Sequence, residues 1–275
     1  MGERCCEPRI VGMELRQRAL GAFCQTRASD KVADVLALWQ RSTALVCDCD
    51  AEFPSPIGPG RPDQPTLIAP ALVPRRSPFT PQGHAALMHS IAHIEFNAIN
   101  LALDAVWRFA GLPETYYRDW LRVAAEEAKH FALLQAHLQT LGFAYGDFPA
   151  HDGLWTMCEA TKDDAMARMA LVPRTLEARG LDATPLIQAK LRKVATPAAL
   201  AAVVILDTIL AEEVGHVAIG NHWFHWLCQR DGIDALVFYP QAALRYRAPS
   251  LKPPFNLVAR SAAGFTPAEI AALPQ

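Results

Sequence analysis

Two short segments of the chain combine a carboxylate and an imidazole at a spacing that favours metal binding. Glu127 and His130 are three positions apart, and Glu213 and His216 repeat this Glu-x-x-His pattern. Residues three apart on a helix share a face, with their Cβ atoms roughly 5–6 Å apart. Imidazole and carboxylate groups are ligands of first-row transition metals. One such pair is weak evidence for a site, whereas two pairs on separate helices are strong evidence.

Two single glutamates on other helical segments extend this pattern. Glu95 lies on an apolar stripe with Ile91 and Ala98, and Glu177 lies on the corresponding stripe with Ala170. A charged side chain on the buried face of a helix needs compensation, because transfer from water to an apolar interior is costly. Both glutamates are therefore candidate ligands.

The glutamate on the third helical segment has an alternative. Glu159 lies on the same predicted segment as Glu177. The separation from Glu177 to Glu213 is 36 residues, close to the 32 residues from Glu95 to Glu127. The separation from Glu159 to Glu213 is 54 residues and would need a much larger connection. Short connections are usual in helical bundles, so we favour Glu177 and keep Glu159 as the alternative.

Four carboxylates and two imidazoles match the donor set that holds two adjacent metal ions in a helical bundle. Two divalent cations would neutralise four buried carboxylates that otherwise repel one another. We expect two iron ions, with Mn/Fe or two manganese ions as alternatives, and no catalytic residue beyond the ligands. The predicted ligands are Glu95, Glu127, His130, Glu177, Glu213 and His216.

Several polar side chains near the ligands have supporting roles in this interpretation. Glu126 and Glu212 each precede a ligand and point about 100° away from it, so they are either hydrogen-bonding partners of the site or solvated. Asp207 is a candidate hydrogen-bond acceptor for a ligand imidazole. The histidines that lie off the ligand stripe are not predicted to bind the metal, and these are His89, His93, His222 and His225.

Four long helices must position the ligands. Helical periodicity with Gly and Pro stop signals places these helices at 82–110, 114–141, 152–179 and 197–230, with a short helix at 185–194 before the last. Pro173 should kink or divide the third helix. The predicted fold class is all-α, a four-helix bundle.

Three regions are predicted along the chain. Residues 1–81 form an N-terminal helical extension with a proline-rich strap over 54–81, and residues 82–232 form the bundle. Residues 233–275 form a tail that packs on the bundle and holds one short helix at 267–273.

Composition limits the classes of function. The 275 residues include 26 Lys and Arg against 28 Asp and Glu, so a broad nucleic-acid surface is not expected. The apolar run Ala198–Leu206 is too short to span a membrane. Seven cysteines favour a reducing compartment, and the charges that precede any apolar stretch at the N-terminus do not fit a signal peptide. We therefore expect a cytoplasmic protein with no membrane partner.

Five segments resemble the ferritin-like DUF455 family of bacterial proteins, and the resemblance covers about residues 10–270. Its Leu-Glu-Ala-Arg-Gly segment includes Glu177, which supports that ligand. The resemblance implies a ferritin-like fold with a di-iron site. The segments are His93–Glu95, Tyr145–Trp155, Leu176–Asp182, Glu212–Val217 and Pro253–Asn256.

More distant relatives in this superfamily include tRNA and quinone-biosynthesis hydroxylases, ribonucleotide reductase small subunits, rubrerythrins and ferritins, and fold alone does not choose among them. The leading hypothesis is an O₂- or peroxide-dependent oxidoreductase or hydroxylase acting on a small organic molecule, with an unassigned electron donor. Glu127 and Glu213 would bridge the metals. The alternatives are metal storage or detoxification, and tRNA modification. The N-terminal extension argues against a 24-subunit cage, and a homodimer is left open.

Overall fold

Helices supply the regular structure of residues 14–274, the part of the chain that this computed structural model describes, and two isolated β-bridges are its only strand-like pairings. Predictions for residues 1–13, including the N-terminal charges and Cys5 and Cys6, lie outside this range. The helices are α1 Leu15–Phe23, α2 Ala28–Arg41, α3 Pro81–Arg108, α4 Glu114–Thr140, α5 Gly153–Ala160, α6 Ala165–Leu171, a π-helical turn Val172–Glu177, α7 Ala178–Val194, α8 Pro197–Asp231, α9 Ala235–Arg245, α10 Leu257–Ala262 and α11 Pro267–Ala271.

Local sequence signals mark ends of the long helices α3 and α8. The side chain of Thr80 caps α3 by accepting a hydrogen bond from the Gly83 amide, and Thr196 caps α8 in the same way. Proline occupies the first position of both helices, where no amide donor is needed. Gly232 ends α8 with a φ of +66°, a conformation that glycine adopts without strain. The predictions for α3, α4 and α8 therefore agree with the structure to within two residues.

The prediction for the third helical segment was wrong in two respects. The range 152–179 is not one helix but α5, α6 and the π turn in succession. Gly180 does not end a helix either, because α7 continues through it to Val194. The separate helix expected at 185–194 is thus the second half of α7.

Two prolines explain this unusual segment. Pro173 lies in the π turn, where the hydroxyl of Thr175 donates to the carbonyl of Ala170 at 2.9 Å. Pro185 lies inside α7 and has no amide for the carbonyl of Leu181, four residues earlier. That carbonyl accepts a hydrogen bond from the side chain of Asn256 at 3.2 Å instead. At Pro185 a side-chain donor thus replaces the missing amide, and α7 continues past this proline.

The π turn lies unusually close to α8. A Cβ atom added to Gly220 of α8 would lie only 2.4 Å from the Cβ atom of Pro173. A glycine at this position therefore permits the approach. The contact brings the turn that carries Glu177 next to the helix that carries Glu213 and His216.

The long helices pack as two pairs, α3 with α4 and α7 with α8, and α4 joins the pairs by contacting α8. Helix α1 packs on α3, and α2 packs on α4. The helical structure between α2 and α3 consists of two short 3₁₀ turns, Ser42–Ala44 and Pro70–Leu72. Among the described residues, no helix combines the length and the apolarity needed to cross a bilayer.

The tail contains more helix than the sequence pattern predicted. Helices α9 and α10 were missed, and the last helix is Pro267–Ala271 rather than 267–273. Pro240 lies inside α9 and obscured its helical pattern. The domain boundaries after residues 81 and 232 stay predictions.

Candidate metal centre

The bundle brings the predicted ligands into one buried group, which we call the central cluster. Helix α3 supplies Glu95, α4 supplies Glu127 and His130, the π turn supplies Glu177, and α8 supplies Glu213 and His216. Each of these residues is at most 8% exposed. Each residue of the two Glu-x-x-His pairs offers one ligand atom, and these four atoms lie within 4.8 Å of one another. The four residues could therefore hold a metal ion.

Glu127 lies between the two imidazoles. Its Oε2 atom is 3.3 Å from Nδ1 of His130, and its Oε1 atom is 2.9 Å from Nδ1 of His216. The second contact is too poorly aligned for a hydrogen bond, since neither atom has a hydrogen-bond partner among the described residues. Each oxygen of Glu127 therefore faces the Nδ1 atom of a different histidine.

Glu95 and Glu213 extend the cluster on either side of Glu127. Oε2 of Glu95 lies 3.4 Å from Nδ1 of His130, and Oε1 of Glu213 lies 3.7 Å from Nδ1 of His216. Among the described residues, Oε2 of each of these glutamates is buried without a hydrogen-bond partner. The Nδ1 atom of each imidazole thus faces two carboxylates.

Glu177, rather than Glu159, is the glutamate of the third helical segment that lies in the central cluster. Both carboxylate oxygens of Glu177 are buried, and neither has a hydrogen-bond partner in residues 14–274. Burial raises the pKa of Glu177 well above its ordinary value, and the neighbouring Glu213 and Glu127 raise it further. Glu159 is partly exposed and pairs with Lys162 at 2.7 Å.

The outer nitrogens of the imidazoles are held by a crossed pair of hydrogen bonds. Nε2 of His130 on α4 donates to Glu212 on α8 at 2.8 Å, and Nε2 of His216 on α8 donates to Glu126 on α4 at 2.7 Å. These bonds leave each Nδ1 atom facing the central cluster, and such outer contacts fix the tautomer and orientation of metal-binding histidines. Lys129 also donates to Glu212.

Asp207 does not have the predicted role. It is exposed, and it accepts a hydrogen bond from the side chain of Gln188 at 2.7 Å. Asp207 precedes His216 by nine residues, which is about 13 Å along a helix, so it lies too far from the imidazole. The sequence signal for the true partners was the doubled glutamate, because Glu126 and Glu212 each stand directly before a Glu-x-x-His pair.

Burial and mutual repulsion govern the charges of the outer carboxylates. Burial raises the pKa of Glu95 well above its ordinary value, with a further contribution from Glu127, and the pKa of Glu213 is raised for the same reasons. Burial would also raise the pKa of Glu127, but the imidazoles of His216 and His130 lower it overall.

Neighbouring carboxylates, rather than burial, determine the direction in which the pKa values of the imidazoles are shifted. Burial alone would lower the pKa of His130, yet Glu127 and Glu95 raise it to about 11. The pKa of His216 is likewise well above its ordinary value, with Glu127 the largest of the contributions that oppose burial. Two imidazoles cannot neutralise four carboxylates, so the unpartnered oxygens fit a cationic metal as their common partner.

The other predicted histidines lie outside the central cluster and have protein partners. His89 accepts a hydrogen bond from the Gly146 amide at 2.9 Å. Nδ1 of His93 lies 2.8 Å from the hydroxyl of Tyr145. His225 contacts Glu269 at 2.9 Å, and His222 packs edge-on against the ring of Trp223. The five described cysteines are free thiols, and these are Cys24, Cys47, Cys49, Cys158 and Cys228.

Comparisons with known proteins confirm the resemblance to the DUF455 family. The sequence matches the family described as "Protein of unknown function (DUF455)" over residues 24–271. An uncharacterized protein of Haemophilus influenzae (strain ATCC 51907 / DSM 11121 / KW20 / Rd) is 53% identical over 216 residues, which cover 76% of this chain and 74% of the relative. No solved structure matches the chain. Because the family match extends over most of its length, this chain belongs to the DUF455 family.

Proposed function

We propose that the central cluster binds two iron ions and that the protein is an O₂- or peroxide-dependent oxidoreductase acting on a small organic substrate. The observation that carries this proposal is the position of Glu127, whose two oxygens face Nδ1 atoms of two different histidines. A carboxylate placed in this way is suited to bridge two cations, each bound by one imidazole. Its burial suits a site whose oxygen chemistry must be shielded from water.

The remaining ligands divide between the two imidazoles. Glu95 lies beside His130, whereas Glu213 lies beside His216. Glu177 belongs with Glu213 and His216, because the nearby charge of Glu213 raises the pKa of Glu177. One glutamate from each of two elements and a Glu-x-x-His pair from each of two others is the ligand pattern of ferritin-like di-iron bundles. By this pattern Glu127 and Glu213 would be held in common by the two ions, and Glu95 and Glu177 would each bind one of them.

The chain's own contribution is to orient the ligands and to control protons. Iron, when bound, would supply the electrons that reduce oxygen or peroxide. Glu126 and Glu212 hold the Nε2 protons of the two histidines and keep both Nδ1 atoms directed at the metals. Burial of all six ligands limits the access of water to the centre.

A stoichiometric titration tests the metal assignment. Purified protein, stripped of metal and titrated anaerobically with Fe(II), should retain two iron ions per chain. Glu127→Ala should retain one or none, because it removes the ligand shared by both metals. Glu159→Ala is the matched control, since the partly exposed carboxylate of this glutamate pairs with Lys162 and lies outside the central cluster, and it should match the wild type. Retention of fewer than two ions by the wild type would contradict the assignment.

Oxygen consumption tests the reaction class. The iron-loaded wild type should consume O₂ or peroxide in proportion to its bound iron, whereas Glu127→Ala should consume far less. Repeated additions of Fe(II) in air separate this function from storage, because a storage protein accumulates iron well beyond two ions per chain. Such accumulation, or oxygen uptake equal to that of Glu127→Ala, would reject the oxidoreductase.

A further inference from the structure

The two histidine-bearing segments of the central cluster are alike in sequence but differ in charge at one position. The segments Glu126–His130 of α4 and Glu212–His216 of α8 both begin with two glutamates and end with the histidine. The residue before the histidine is Lys129 in the first segment and Gly215 in the second. This position therefore carries a cation in one half of the cluster and no side chain in the other.

The proposed ligands do not distinguish the two halves. Each ion would have one imidazole and one glutamate of its own, and Glu127 and Glu213 would be held in common. A difference between the two metal positions must therefore come from the groups that surround the ligands.

Lys129 contacts the carboxylate that holds the imidazole of His130. Oε2 of Glu212 accepts from Nε2 of His130 at 2.8 Å, and Oε1 of Glu212 accepts from the ammonium group of Lys129. Both oxygens of this carboxylate thus have a donor, and one of the donors is a cation. The side chains of Lys129 and Glu212 are 43% and 29% exposed, so solvent screens this contact only in part.

The carboxylate that holds the imidazole of His216 lacks such a contact. Oε2 of Glu126 accepts from Nε2 of His216 at 2.7 Å, whereas Oε1 of Glu126 lies 3.9 Å from Nε of Arg122, beyond hydrogen-bonding distance. Gly215 has no side chain that could reach Glu126. A Cβ atom added to Gly215 would lie 4.0 Å from Nη2 of Arg122, an ordinary van der Waals distance, so a side chain could be accommodated there.

The ammonium of Lys129 weakens the metal position at His130 for two reasons. A carboxylate that accepts the outer proton of a ligand imidazole makes that imidazole a better metal donor. Glu212 shares its negative charge with Lys129, so it strengthens His130 less than Glu126 strengthens His216. The ammonium also repels a divalent cation directly.

We propose that the two metal positions are inequivalent, with Lys129 as a positioning residue that weakens the position at His130, so that the position at His216 fills first. This assignment rests on the two-ion centre proposed above. The position at His130 would then fill only at a higher concentration of free Fe(II). A reaction that needs both ions would therefore be regulated by the supply of iron.

Anaerobic calorimetric titration of the metal-free, full-length protein with Fe(II) tests this assignment. Repulsion between the ions would by itself weaken binding of the second ion, so the decisive comparison is between variants. Lys129→Met should tighten binding of the second ion about tenfold, the lower end of the range for changes around metal-binding histidines, and should leave the first ion nearly unchanged. Arg122→Met is the matched control, because Arg122 is 44% exposed and lies 3.9 Å from Glu126, and it should change either affinity less than about threefold.

Gly215→Lys tests the same difference from the other half. The new side chain can reach Glu126 and should weaken binding of the first ion about tenfold. Its circular dichroism spectrum should be unchanged, because the site has room and lysine favours a helix more than glycine does. An unchanged affinity for the second ion in Lys129→Met, or an equal change for both ions, would overturn the assignment alone. Fewer than two ions bound by the wild type would reject the proposed function and the assignment with it.

Discussion

The buried aspartates Asp104 and Asp182 differ from the buried glutamates of the central cluster in the cations that lie against them. Asp104 contacts Arg168 and also Arg108, the latter at 2.7 Å. Asp182 forms a two-pronged contact with Arg260, in which Nη2 and Nε donate at 2.7 Å and 3.1 Å. Each aspartate therefore has a guanidinium to offset its charge and to donate directed hydrogen bonds.

The central cluster has imidazoles in place of guanidinium groups. The basic side chains in contact with Glu95, Glu127 and Glu213 are those of His130 and His216. Imidazoles bind metals and guanidinium groups do not, so the choice of cation separates the two regions by chemistry. The chain thus neutralises its structural carboxylates with its own guanidinium groups, whereas the carboxylates and imidazoles of the centre could hold a metal ion.

Removal of a structural cation should have the largest effect on stability. Arg260→Met leaves the buried Asp182 with the partly exposed Arg179, at 3.2 Å, as its basic partner, and should lower the free energy of unfolding by about 3–5 kcal/mol. Denaturation with urea measures this change. Arg192→Met is the control, because Arg192 and Asp207 form an exposed pair at 3.8 Å, and its effect should stay below about 1 kcal/mol. Equal effects of the two substitutions would remove the distinction between structural and surface pairs.

Addition of a metal should stabilise the centre next most strongly. Fe(II) under anaerobic conditions, at a free concentration 100 times its dissociation constant, should raise the free energy of unfolding by about 2.7 kcal/mol. The increase should disappear in Glu127→Ala and persist in Arg192→Met. Anaerobic thermal unfolding with and without a chelator measures it. A chelator-insensitive wild type would show that the central carboxylates are compensated without metal.

Removal of a single carboxylate charge should change the stability of the metal-free protein in opposite directions in the two regions. Asp182→Asn should destabilise the protein, because it leaves Arg260 buried without its carboxylate. Glu177→Gln keeps the shape of the side chain and removes repulsion from Glu213, so it should stabilise the metal-free protein by about 0.5–2 kcal/mol. The same variant should bind metal more weakly. Thermal unfolding of chelator-treated protein measures both signs, and destabilisation by Glu177→Gln would contradict the comparison.

The residues of the central cluster were predictable because their positions depend on helical period, a local property of the sequence. Glu127 with His130 and Glu213 with His216 lie on apolar stripes of uninterrupted helices, and the period alone places each pair on one face. Glu177 needed a comparison of loop lengths, because Glu159 lies on the same predicted helical segment. Helical period indicated which residues face the core.

Partners across the bundle were less predictable, because they depend on how helices pack. The crossed bonds of Glu126 and Glu212 require α4 and α8 to adjoin at one register, which no local pattern specifies. The same holds for Asn256, which is distant in sequence but completes the hydrogen bonding of α7 near Pro185. Without that donor the prediction of a break near Gly180 was reasonable, and tertiary contacts overrode it.

Glu269 is a third kind of buried carboxylate, because it is paired with both an arginine and a histidine. Burial opposes its ionisation, but His225 and Arg174 lower its pKa to about 2, from an ordinary value of 4.5. A lowered carboxylate pKa stabilises the folded state above pH 4.5, and this contribution is lost as the pH falls from 4.5 towards 2. After allowance for solvent screening, the loss should be about 1–2 kcal/mol. Urea unfolding of the wild type and Glu269→Gln over this range measures it, and the variant should show a shallower dependence on pH. Parallel curves would mean that Arg174 does not stabilise the ionised carboxylate, and that Glu269 belongs with the uncompensated glutamates of the centre.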